Sequence, residues 1–320
     1  MHTIITTKNL KKSFPTKNGL YEAVCGVDLE VFEQEIFGFL GPNGAGKTTT
    51  LKMLTTLLPI DSGEAFVAGY NVKTNAQAVR KSIGYVSQQG GADCAATGYE
   101  NLLLQGQLYG MDEIDTMQSA ALLIDIFSLG DFIHRFVATY SGGQQRRLDI
   151  ALGMIHKPKI LFLDEPTTGL DPQNRTNLWQ QIGFLKEQGT AIFLTSHYLD
   201  EIDFLADRLA IMDQGKIVEV GTPQDLKKQI AGDIITIGID QANQDKAVAI
   251  FQQQKFVKEI MQDEQHIRLA VDQGEMALPQ ILRLLDAAKI ALTSISLSVP
   301  TLHDVFLKKT GHSLREENYA

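Results

Sequence analysis

Short apolar runs, each ending in a glycine, a hydroxyl or an acidic residue, recur through the first two thirds of the chain. Glu35-Ile-Phe-Gly-Phe-Leu40, Ile160-Leu-Phe-Leu163 and Ala191-Ile-Phe-Leu194 read as strands covered on both faces, since they carry no polar alternation. Thr48 to Thr55 reads as the opening of a helix, and Tyr99 to Tyr109 and Met117 to Leu129 as helices of a largely helical stretch. Residues 4–35, which include Leu20-Tyr-Glu-Ala-Val-Cys-Gly-Val-Asp-Leu-Glu-Val31, read as strands of an antiparallel layer, and residues 36–212 as strands alternating with helices. The fold class is therefore α/β.

Beyond Gly221-Thr-Pro-Gln-Asp-Leu226 the texture changes. Asp233 to Asp240 alternates like a strand, Gln244 to Gln254 suits a helix, and Phe256 to Met261 and His266 to Val271 are strand-like. Met276 to Ala288 reads as an amphipathic helix and Ile290 to Leu297 as a last strand. This β-α-β-β-α-β order suggests a small α+β domain of ferredoxin-like type. The expected division is residues 1–220, with a helical subdomain at about 89–140, and residues 221–320.

A chain of 320 residues can bury a large core and a second domain. Its formal charge of -9 and pI near 5.3 argue against nucleic acid as a partner, which would call for a basic surface. Cys25 and Cys94 lack metal-type spacing and read as reduced thiols. No apolar stretch reaches the ~20 residues needed to span a bilayer, and the start shows no secretory core. A cytosolic enzyme is expected.

The chemistry concentrates in a few short segments. Gly41-Pro42-Asn43-Gly44-Ala45-Gly46-Lys47-Thr48 follows a strand and opens a helix, the context of a phosphate-binding loop. Gly41, Gly44 and Gly46 are expected to take positive φ so that N–H groups turn towards an anion. Lys47 would meet the β- and γ-phosphates, and the Thr48 hydroxyl would ligate Mg²⁺. The run ending at Leu163 delivers Asp164 and Glu165 where open α/β sheets bind ligands. Asp164 is assigned to Mg²⁺ and Glu165 to polarising the attacking water; the alternative is that both cap the turn Pro166 to Asp171. Ser141-Gly142-Gly143-Gln144 opens a further helix, whose N-terminal N–H groups suit an anion, although Ser141 alone would also serve as an ordinary N-cap.

In this order, Gly41 to Thr48, Gln88, Ser141 to Gln144, Asp164-Glu165, Gly169-Leu-Asp171 and His197 resemble the complete motif set of an ATP-binding cassette (ABC) ATPase, over about residues 4 to 220. The resemblance implies an ABC-type P-loop NTPase that hydrolyses ATP with Mg²⁺. It implies that Phe14 stacks on adenine, that Thr49 joins the loop in binding nucleotide, and that Gln88 touches Mg²⁺ or the attacking water beside a membrane partner. It places His197 at the γ-phosphate and makes Asp171 a link between two copies. Taken alone, Phe14 could equally belong to the core, and Gly169 to Asp171 could be a turn. Ser141 to Gln144 would complete the ATP site of the opposing subunit, so the chain would pair with a second copy or a related ABC ATPase. The helical subdomain would dock a separate transmembrane permease, holding the chain peripherally on the cytoplasmic face of the membrane.

Thr97-Gly-Tyr-Glu-Asn-Leu102, Tyr140-Ser-Gly-Gly143 and Thr301-Leu-His-Asp-Val-Phe-Leu-Lys-Lys-Thr-Gly311 resemble the daunorubicin-resistance-type exporter subgroup, which implies export of a drug- or lipid-like molecule. Leu302, Val305, Phe306 and Lys309 also suit an amphipathic helix covering its own domain. The alternative, a non-transport regulatory ABC ATPase, usually carries two cassettes or long coiled-coil insertions, and neither is present. Gln34 stands where the family usually turns on glycine, and Pro15 to Tyr21 is longer than typical.

Overall fold

The computed structural model describes residues 2–17, 19–230, 232–263 and 266–311; the tail 312–320 of the expected second domain lies outside the described residues. The chain divides into two compact units, Met1–Ile217 and Val218–Ala320.

The first unit opens on two long strands, β1 (Thr3–Thr16) and β2 (Gly19–Phe32), paired antiparallel with Phe14 opposite Tyr21. Then come β3 (Ile36–Leu40) and α1 (Lys47–Leu54), followed by β4 (Ser62–Val67) and β5 (Tyr70–Asn71). These last two strands join β1 to give the order β2-β1-β4-β5, so the antiparallel layer extends beyond residues 4–35. Next are α2 (Ala76–Ser82), β6 (Ile83–Val86), α3 (Gly98–Leu108), α4 (Glu113–Ile126) and α5 (Gly142–Met154). The unit continues through β7 (Ile160–Asp164), α6 (Pro172–Glu187), β8 (Ala191–Ser196) and α7 (Leu199–Leu205) to β9 (Arg208–Asp213), and the division from the second unit falls within β10 (Lys216–Gly221). The central sheet has the order β10-β9-β3-β8-β7-β6, and the strands from β9 to β6 run parallel.

Every residue of β3, β7 and β8 is buried, as their unbroken apolar runs require. Phe37, Phe39 and Phe162 pack on Phe193 with ring centroids 5.4–5.8 Å apart. One continuous core joins them to Leu51 and Leu54 of α1 and to Ile5, Leu10, Val27 and Val31 of the antiparallel layer. Each such side chain contributes about 1.5–3 kcal/mol. α1 is thus clamped between two sheets, which fixes the loop before it at the carboxyl edge of the parallel strands. The helical segment starts where its caps dictate: Thr97 and Glu100 form a capping box on α3, and Asp112 caps α4.

The second unit runs α8 (Pro223–Lys228), β11 (Asp233–Ile239), α9 (Gln241–Phe251), β12 (Val257–Gln262), β13 (His266–Val271), α10 (Gly274–Ala287), β14 (Leu292–Ser298) and α11 (Leu302–Thr310). Its antiparallel sheet is ordered β12-β13-β11-β14, with the first and third strands central, which is the ferredoxin-like arrangement. Ile235, Ile237, Ile267 and Leu269 pack with Phe251 of α9 and with Ile281 and Leu285 of α10. In α11, Leu302, Val305 and Phe306 are buried, Asp304 meets Arg268 at 2.8 Å, and Lys309 pairs with Glu219. This helix therefore covers its own domain.

Between β2 and β3, Gln34 adopts φ 61°, the left-handed conformation that glycine supplies at little cost. Replacing Gln34 with Gly should stabilise the chain by roughly 0.5–1 kcal/mol, measured by urea unfolding, with hydrolysis unchanged.

Candidate nucleotide site

The loop between β3 and α1 is shaped by close approach as much as by torsion. Gly44 and Gly46 have positive φ, 79° and 104°. Gly41 does not, contrary to the expectation from sequence; it is glycine because a Cβ there would collide with the Met212 carbonyl of β9. A Cβ on Gly46 would likewise strike the Ala23 carbonyl of β2. Pro42 is half-buried, Asn43 and Gly44 form the exposed tip, and Ala45 is buried. Lys47 is only 5% exposed, and its Nζ curls back to donate to the carbonyls of Gly41 at 2.7 Å and Pro42 at 2.9 Å. Among the described residues no side chain caps the N-terminus of α1, so its first N–H groups, with Thr48 and Thr49 in the first turn, face the loop as an anion would require.

Two carboxylates lie beside this cradle. Asp164 Oδ1 accepts from Thr195 Oγ1 at 2.7 Å and Thr48 Oγ1 at 3.1 Å. Glu165, just past the end of β7, has φ 46°, a conformation that costs a non-glycine residue about 1–3 kcal/mol. Its N–H is held by the Thr195 hydroxyl at 3.0 Å and the Thr195 carbonyl at 3.2 Å. Around its carboxylate stand Gln88 Nε2 at 3.2 Å, Thr168 Oγ1 at 3.3 Å, His197 Nδ1 at 3.2 Å and Lys47 Nζ at 3.8 Å. The His197 nitrogen is close enough for an ion pair when protonated but is poorly aligned for a hydrogen bond. Burial would push the Glu165 carboxyl up, but His197, and after it Lys47 and Thr168, outweigh burial and hold the group below its usual range. Glu165 is therefore ionised at neutral pH.

Among the described residues no group of three His, Cys, Asp or Glu side chains could hold a metal. The oxygens of Thr48 and Asp164, already 3.1 Å apart, still suit Mg²⁺, which takes few protein ligands and completes its shell with phosphate and water.

Ser141, Gly142, Gly143 and Gln144 do something else within one chain. Ser141 caps α5, and Gln144 returns the bond in a capping box, so the N-cap reading explains both residues. Gly143 is packed against Asn174, where a Cβ would crowd the amide. Asn174 in turn donates to Asp171, the N-cap of α6, at 2.5 Å. Gly142 is exposed and has nothing near the position of a Cβ. Among the described residues no contact in its own chain accounts for it.

Several residues near the site had no signal in sequence. Thr195 braces both Asp164 and the backbone of Glu165. Tyr21 donates to the Gly44 carbonyl at 3.3 Å, whereas Phe14, its cross-strand partner, lies under Lys12 Nζ, 5.6 Å from the ring centroid. Arg146 and Asp149 of α5 are both 6% exposed and bind the segments that flank the two carboxylates and Gln88. Cys25 and Cys94 are free.

A glycine cradle closing on a helix, two carboxylates at the end of a parallel strand one removed from it in the sheet and a Ser-Gly-Gly-Gln helix start define an ATP-binding cassette ATPase. Comparison with known proteins agrees. The family described as ABC transporter matches residues 24–168, and the ATP-binding protein DrrA1-3-like, C-terminal domain matches residues 221–310. The chain is 40% identical to the daunorubicin/doxorubicin resistance ATP-binding protein DrrA of Streptomyces peucetius, over 96% of this chain and 92% of that protein. It is 34% identical to the linearmycin resistance ATP-binding protein LnrL of Bacillus subtilis, over 98% of this chain and 100% of that protein. A solved dimeric ATP-binding cassette, bound to ADP and phosphate after hydrolysis, shares the fold with a TM-score of 0.63 at 24% identity, covering 68% of this chain and 98% of that one. The chain belongs to the DrrA-like family of ABC ATP-binding proteins and is an ATP hydrolase. Among the described residues no helix is long and apolar enough to cross a membrane.

Because the Glu165 carboxyl is held low in the folded chain, its charge adds stability above the unfolded-state pKa, and that stability is lost as pH falls through the folded value. Without nucleotide, Glu165→Gln should unfold more readily than the parent at neutral pH. Chemical denaturation across pH should show the gap closing below the ordinary carboxylate range; a gap independent of pH would refute the assignment.

Proposed function

We propose that two copies of this chain, or this chain and a related ATPase, clasp ATP between the cradle of one and the Ser141–Gln144 face of the other. The observation that carries this reading is Gly142: its neighbours Ser141, Gly143 and Gln144 are all accounted for inside the chain, while Gly142 lies bare on the surface at a helix N-terminus. An approaching phosphate needs that bare backbone. Asp171, exposed beside Asn174 and Gly143, belongs to the same meeting surface.

Within the closed pair Glu165, being ionised, accepts the proton of the attacking water. Gln88 and His197 hold that water and the γ-phosphate in line, Lys47 leaves the loop carbonyls for the phosphates, and Phe14 stacks on adenine. Thr48 and Asp164, with Gln88, would hold Mg²⁺, which when bound would neutralise the phosphate charge. Closure on ATP and reopening after hydrolysis drive a separate transmembrane permease on whose cytoplasmic side the chain sits. The relatives are named for resistance to daunorubicin, doxorubicin and linearmycin, which supports outward movement of a drug- or lipid-like molecule.

Glu165→Gln should bind ATP, form a stable dimer by sedimentation and lose nearly all turnover; hydrolysis at the parent rate would end the assignment. Gly142→Asp should fold and bind ATP as a single chain yet fail to dimerise, because a carboxylate then faces the phosphate. Recovery of the chain with a multi-helix membrane protein from detergent extracts would support the transport role, and recovery with ribosomes would contradict it.

A further inference from the structure

Gln88 is exposed, yet its amide sits 3.2 Å from Glu165, and the turn that carries it is fixed from below. Ser87 Oγ donates to the Gly90 carbonyl at 2.9 Å and Gly90 N–H to the Ser87 carbonyl at 3.2 Å, closing a turn in which Gly90 takes φ 78°. Both flanks of this turn are held by one face of α5. The buried Arg146 donates from Nη1 to the Ser87 carbonyl at 2.6 Å, from Nε to the Pro166 carbonyl at 2.7 Å and from Nη2 to the Asp164 carbonyl at 3.1 Å. Three residues on, Asp149 Oδ1 accepts from the N–H groups of Gly91 at 3.0 Å and Ala92 at 3.2 Å. A Cβ on Gly90 would collide with the same carboxylate.

The guanidinium thus ties the residue before Gln88 to the carbonyls on either side of Glu165, while the carboxylate ties down the residues after it. We propose that Arg146 and Asp149 are positioning residues: they set the Ser87–Gly90 turn against the end of β7 so that Gln88 meets Glu165 in the arrangement that hydrolyses ATP. The proposal rests on the reading of Gln88 and Glu165 given above. A buried arginine serving only the core could spend its donors on any carbonyls. Here all three belong to the two segments whose side chains must meet.

The test is a set of purified full-length variants assayed for kcat and for binding of a non-hydrolysed ATP analogue. Asp149→Ala frees the turn and should lower kcat roughly tenfold or more, with analogue affinity unchanged because the cradle is untouched. Asp149→Asn keeps the accepting oxygen and should retain most turnover. On a Gln88→Ala background, Asp149→Ala should add no further loss. Gly90→Ala, which disturbs the same contact from the loop side, should behave likewise and keeps the test open if Asp149→Ala folds poorly. Full turnover in Asp149→Ala, a further fall on the Gln88→Ala background, or equal damage from Asn and Ala would overturn the proposal. Loss of turnover in Glu165→Gln and Gln88→Ala alone tests the parent reading, so the two failures are distinguishable.

Discussion

Neighbouring residues on an extended strand point to opposite faces of a sheet, so two adjacent carboxylates can serve one site only if the strand ends between them. The chain meets this constraint at Glu165. Asp164 closes β7 in regular conformation and takes two hydroxyl donors, Thr48 and Thr195. Glu165 then turns left-handed, and Thr195 grips its N–H to keep it there. The strain is stored where it is useful, since it brings the second carboxylate among Lys47, Gln88 and His197. The elements around the pair follow from this requirement. β8 holds β3 and β7 in parallel register on its two sides, α1 presents its bare N-terminus, and α5 braces the backbone through Arg146 and Asp149.

On the proposed reading, what one chain builds is half of a reaction centre. Its cradle, cation and base converge, while its Ser141–Gln144 segment is spent on capping α5 and packing on Asn174, with one glycine left open. A helix start can serve as a cap towards its own chain and as an anion site towards another, because the capping box satisfies only some of the N-terminal donors.

Much of this was legible from residue order. A phosphate loop requires glycines and a lysine at fixed spacing, and a fully buried parallel strand requires an unbroken apolar run, so both could be read directly. The second unit was legible as well, because the alternation of its segments has one common ferredoxin-like solution. Other features were not. In sequence Gly41 reads as a torsional glycine, whereas it answers to the Met212 carbonyl of β9, a contact no local pattern announces. The recruitment of β4 and β5 into the antiparallel layer is a long-range pairing of the same kind. Thr195, Tyr21, Arg146 and Asp149 are ordinary residue types whose importance comes from the backbone groups they reach, and those groups lie far along the chain.

In the proposed pair each ATP is held jointly, by the cradle of one chain and the helix start of another. Mixing two inactive variants, Lys47→Ala and Gly142→Asp, isolates this sharing. A mixed pair carries both lesions in one site and none in the other, so hydrolysis should reappear on mixing and be absent from either variant alone. Continued silence from mixtures shown to contain the mixed pair would contradict the shared site.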